Sequence, residues 1–122
     1  MNLHKVIQNH VEIAVVRFCP GELLITDTQS ALDLMMSVKY QTGATSVILS
    51  KQAVAEQFFI LRNGTTGEIL QKWINYGMKA AFWGDYSHYT SKPLQNFIRE
   101  SNRGRDFFFV STEEEALEKL SA

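Results

Sequence analysis

The sequence predicts an α/β fold in which an opening β-hairpin is followed by alternating strands and helices, with a mostly parallel central sheet covered by helices. Three observations carry this expectation. Two strand-like runs near the start are separated only by Asn9 and His10. After them the short apolar runs SVILS, MKAAFWG and DFFFV alternate with amphipathic segments bearing helix start and stop signals. No internal repeat, low-complexity tract or linker interrupts the 122 residues, a length suited to one core, so residues 1–122 are expected to form a single domain.

The elements follow in order. Leu3 to Gln8 and VEIAVVRF read as antiparallel strands. After the turn residues CPGE, the run LLI leads to Thr26, whose hydroxyl is expected to cap a helix while Gln29 reaches back. Ala31, Leu32, Met35, Met36 and Val38 make the apolar side of that helix, and Gly43 stops it. SVILS reads as a buried strand and QAVAEQFFIL as a helical segment. In RNGTTGEILQKWINYG, residues 62–77, Thr65 stands three residues before Glu68, the spacing of a capping box. Gly67 would let the first turn approach a strand, Ile69, Leu70, Trp73 and Ile74 face the core, and Gly77 ends the helix. MKAAFWG is again a strand. SKPLQNFIRESNRG carries a Ser91 cap, a first-turn Pro93, a stripe of Leu94, Phe97 and Ile98, and a terminal Gly104. DFFFV is a last strand whose consecutive aromatics suit a sheet covered on both faces. STEEEALEKL is a helix with acidic residues where the macrodipole favours them, expected to pack back over that strand.

Composition removes several function classes. A formal charge of -1 gives no electrostatic reason to expect nucleic acid or an acidic membrane, and Arg99, Arg103 and Arg105 are interrupted by Glu100 and Asp106. Cys19 stands alone, which excludes an intramolecular disulfide and a multi-cysteine zinc site. The start MNLHKVIQNH lacks the apolar core of a signal peptide, and no stretch approaches the ~20 apolar residues of a membrane span. A cytoplasmic location is therefore expected. His4, His10 and His88 are scattered without a carboxylate cluster, so no metal is expected, and no dinucleotide fingerprint or Walker loop points to a cofactor.

Chemistry, if present, belongs beyond the carboxyl ends of the strands, where Asp27, Ser50, Asp85, Tyr86, Ser87, His88 and Ser111 are candidates. GDYSHYTSK is the richest such loop. Asp85 and His88 have the types of an acid–base pair, Ser50 or Ser87 of a nucleophile, and Lys92 of an anion holder. No Gly-x-Ser-x-Gly elbow accompanies them, so no residue is assigned as catalytic. A small-molecule-binding domain or small enzyme using the 85–92 loop is the alternative to a protein-interaction module.

The runs LITDTQSALDLM, GEILQKWINY and YTSKPLQNFIRESNRGRDFFFVSTEEEALEKL are similar to the bacterial domain of unknown function family 4180 over nearly the whole chain. More distantly, FFVSTEEEAL, Gly64-Thr65-Thr66-Gly67 and Pro20-Gly21-Glu22-Leu23 resemble segments of the STAS domain, the sulfate-transporter and anti-sigma-factor-antagonist fold. That resemblance implies a STAS-like topology and a small cytoplasmic regulatory module, with Thr66 where those regulators carry a phosphorylatable hydroxyl. Thr65, Thr66 and Gly67 would then form an interaction surface for another protein, with partner switching by the added charge and self-association left open.

Overall fold

In the computed structural model, which describes residues 1–61 and 64–122, five strands form one sheet in the order of the chain. Arg62 and Asn63, which open the RNGTTG stretch, lie outside the described residues. Strand β1 (Asn2–Gln8) pairs antiparallel with β2 (Val11–Arg17). Strands β3 (Ser46–Ser50), β4 (Lys79–Trp83) and β5 (Phe107–Val110) then add in parallel. The predicted α/β fold, with an opening hairpin and a mostly parallel sheet, is what is found.

Asn9 and His10 make the two-residue turn with φ of 52° and 68°, the left-handed pair that matches the twist of a hairpin. Asn tolerates this conformation, whereas His is strained by its Cβ. His10→Gly should therefore raise stability by about 0.5–1 kcal/mol. Urea unfolding with an unchanged m-value is the check.

Sequential parallel strands joined by right-handed crossovers place every crossover helix on the same face. Helices α1 (Thr28–Thr42), α2 (Thr65–Asn75) and α3 (Lys92–Arg103) accordingly share one core with Ala14, Val16, Val47, Leu49, Phe82 and Phe109. Helix α4 (Glu113–Ser121) follows the last strand and folds over the opposite face, burying Ala116 and Leu120 against Ile13, Val15, Ile48 and Phe108. Both faces of the parallel strands are thus covered, which explains the unbroken apolar runs SVILS and FFFV. Trp73 is fully buried, and its indole N–H donates to the Ala31 carbonyl at 3.2 Å, tying α2 to α1.

Local differences from the sequence expectation have clear causes. The cap of α1 is Asp27, not Thr26: Asp27 accepts from the Ser30 backbone at 2.7 Å, and Ser30 returns the bond to the Asp27 N–H at 3.0 Å. LLI is not a strand of the sheet; Ile25 makes an isolated parallel bridge with Val54. That bridge keeps Val54 and Ala55 extended and splits QAVAEQFFIL into 3-10 turns at Lys51–Ala53 and Glu56–Phe59. Gly64, with φ of 76°, occupies the N-cap of α2, so Thr65 lies inside the helix and does not head a capping box. Met36 and Ile74 stand outside the buried arcs of their helices and are exposed. Gly67 faces open space rather than a strand.

Among the described residues no helix is long and apolar enough to cross a membrane.

Candidate functional site

The connections after β2, β3 and β4 all cross to the face of α1–α3, whereas the connection after β5 turns to the face of α4. Adjacent connections therefore diverge between β4 and β5. At such a switch point the carboxyl ends of the strands are left uncovered and a crevice opens. A crevice of about 450 Å³ lies there, lined by Ser50 at the end of β3 and Lys51 after it, Trp83 at the end of β4 with Gly84 and Asp85 after it, and Ser111 after β5.

Lys51 is held from several sides. Its stem lies against Gly84, where a Cβ would come within 2.7 Å of the Lys51 Cβ. Its ammonium sits 4.9 Å from the centre of the Tyr89 ring and 5.5 Å from that of Phe59. Glu56 approaches it at 3.6 Å, and the Lys51 side chain is only 16% exposed. Glu56 is in turn fixed by the Tyr89 hydroxyl, which donates toward both carboxylate oxygens at 2.6 and 2.8 Å. Burial, and then the bond to Glu56, raise the Tyr89 phenol above its ordinary range, and burial raises Tyr86 likewise. Both phenols are neutral at physiological pH. Tyr86 donates to the Phe82 carbonyl at 3.1 Å, which anchors the 84–91 loop to the end of β4.

Asp85 closes a local turn, accepting from the Ser87 backbone at 2.9 Å and from the Ser87 hydroxyl at 2.6 Å. These bonds, with smaller contributions from His88 and Lys51, hold its carboxyl below the usual range. Its carboxylate is ionised and already hydrogen-bonded, unlike a poised general base. His88 is exposed and lies against the Tyr89 ring at 4.4 Å between centres. Ser50 accepts from the Gln52 N–H at 3.2 Å, which leaves its hydroxyl proton to donate.

The structure thus gathers Ser50, Asp85 and Ser111 at the crevice, adds Lys51 and Gly84 to its lining with Glu56 and Tyr89 beside the lysine, and leaves His88, Asp27 and Lys92 outside it. Asp27 caps α1 beside a separate recess of about 200 Å³, which it shares with Thr65, Phe58 and Ile69. Lys92 is exposed at the start of α3. Thr66 is 1% exposed, and its hydroxyl donates to the Phe58 carbonyl, so a phosphate reaches that oxygen only if the start of α2 leaves the 56–59 turn. Among the described residues no three His, Cys, Asp or Glu side chains gather as a metal site.

Nothing local in the sequence distinguishes Lys51 from a solvated lysine. Its signal is its place immediately after a buried strand, facing a glycine that directly follows the next strand.

A family model described as a domain of unknown function (DUF4180) matches residues 8–120. No curated protein matches the chain.

Proposed function

The chain belongs to this family of domains of unknown function, and we propose that it is a non-enzymatic regulatory module binding a small oxyanion-bearing ligand in the switch-point crevice. The observation that carries the reading is the restrained Lys51 side chain, which lines that crevice while its ammonium is held beside Glu56 and the Tyr89 ring. The Lys51 ammonium meets Glu56 at 3.6 Å, longer than a hydrogen bond. A carboxylate or phosphate oxygen would complete it, with Ser50 and Ser111 supplying hydroxyl donors. Asp85 and Glu56 beside the ammonium disfavour multiply charged ligands, so a single carboxylate suits the site better than a dianion. Binding is favoured over catalysis because Asp85, Glu56 and Tyr89 are each engaged in holding the loops.

Titrating ¹⁵N-labelled protein with sodium acetate, and separately with inorganic phosphate, at constant ionic strength should give saturable amide shifts centred on residues 50–52, 84–85 and 111. Lys51→Met should weaken the response at least about tenfold. The absence of saturable shifts in the crevice with both probes would overturn the reading.

A second reading, contact with another protein beside the start of α2, is favoured by one observation. Phe59, Ile60, Leu61, Ser91 and Pro93 line an open apolar recess of about 680 Å³, with Ile60 exposed. Phe59 also lies under Lys51. Ligand and partner would therefore share the 51–61 segment, and the same titration should then carry shifts to the amides of Ile60 and Leu61.

A further inference from the structure

The two edges of the sheet are treated differently. On β5 the side chain of Asn102 donates to the Phe109 carbonyl at 3.0 Å and accepts from the Phe109 N–H at 2.7 Å, as a neighbouring strand would. At Phe109 that edge is closed to further pairing. Strand β1 has no such cover on its outer side among the described residues.

The hairpin determines which groups β1 presents. A two-residue left-handed turn closes on a hydrogen-bonded pair, here Gln8 with Val11. Because such pairs alternate in an antiparallel ladder, Val6 with Ile13 and His4 with Val15 are also hydrogen-bonded. Leu3, Lys5 and Ile7 therefore direct their N–H and C=O groups away from β2. We propose that two copies of this chain pair antiparallel through β1 about a two-fold axis at Lys5, joining their sheets into one.

In this register Leu3 faces Ile7 of the second copy, and the reverse, so every outward N–H meets a carbonyl. The side chains agree with it. Ile7 is 65% exposed in the single chain, and Leu3 of the second copy would lie across it on the same face of the sheet. Lys5 would oppose Lys5, but each ammonium is already turned back to its own subunit. It donates to Glu12 at 3.1 Å and to the Thr42 carbonyl at the end of α1 at 3.2 Å. The charge that would ordinarily keep an edge strand solitary is thereby drawn away from the axis. On the other face His4 lies opposite Val6 of the second copy, a non-hydrogen-bonded pair with the closest approach of the two backbones.

That pair supplies the test. In a sample mixing ¹³C-labelled and unlabelled full-length chains, an intermolecular contact between the α-protons of His4 and Val6 is expected. Within one strand these protons are too far apart to give it. Amide exchange at Leu3, Lys5 and Ile7 should slow as concentration rises toward about 1 mM, while exchange at His4, Val6 and Gln8 is slow throughout. Ile7→Lys retains the hairpin, since residue 7 faces Glu12 across β1 and β2, yet puts a cation against Leu3 of the second copy. It should raise the dimer dissociation constant at least about tenfold. A monomer by sedimentation at about 1 mM, a dimer lacking the His4–Val6 contact, or an Ile7→Lys dimer as tight as the original would each overturn the proposal.

Discussion

Thr66→Asp is expected to destabilise the fold by roughly 3 kcal/mol or more, a large share of the stability of an ordinary domain. The residue is buried in the first turn of α2, and its hydroxyl is the donor to the Phe58 carbonyl. An aspartate has no proton to give and would bring a desolvated carboxylate against a carbonyl oxygen. The favourable dipole at the start of a helix offsets only about 0.3–1 kcal/mol of this. From sequence alone the same substitution reads as nearly neutral, because a first-turn carboxylate ordinarily suits a helix. The structure reverses that expectation by turning the side chain inward. Thr66→Ser should keep the donor and most of the stability, and Thr66→Val should lose about 1–3 kcal/mol by leaving the Phe58 carbonyl unpaired. Urea unfolding of the three variants orders them. An Asp variant within about 0.5 kcal/mol of the original would show that the helix start opens readily. It would also restore Thr66 as an accessible site for a phosphate.

What could be read in advance follows the range of the interaction involved. Periodicity, turn residues and caps act over a few positions, which is why the Asn9–His10 hairpin, the Gly43 stop, the Ser91 cap and the acidic first turn of the STEEEALEKL helix are legible in the sequence. The displaced features each depend on a distant partner. Ile25 and Val54 bridge across 29 positions, and that contact turns an apparently helical segment into two short turns. Thr66 and Phe58 are nearer, but the direction of the hydroxyl depends on how the segment packs. The crevice has the longest range of all. Ser50, Asp85 and Ser111 are recognisable as strand-end residues, yet the importance of Lys51 depends on a glycine and two aromatic rings from other parts of the chain. A lysine in such company has the same local signature as one in water.

Gly84→Ala tests that company directly and is expected to cost about 1–3 kcal/mol. Gly84 continues β4, donating to the Val110 carbonyl at 2.9 Å, so its backbone cannot withdraw without loosening β5. A Cβ there would meet the Lys51 Cβ at 2.7 Å and its Cδ at 3.3 Å, and φ of 158° is itself unfavourable for a side chain. The Cβ of Lys51 is joined to the backbone immediately after β3, and it cannot swing aside as a side-chain tip would. The added methyl must therefore part the ends of β3 and β4 or push the lysine stem off its aromatic seat. Either response moves the ammonium from the Tyr89 and Phe59 rings. Stability and acetate binding should fall together in Gly84→Ala, whereas Lys51→Met should lose binding with a smaller loss of stability, because it keeps an apolar stem in the same place. Thermal unfolding paired with the amide titration separates the two. If Gly84→Ala retained both full stability and an unchanged Lys51 environment, close packing at the strand ends would not be what positions the cation.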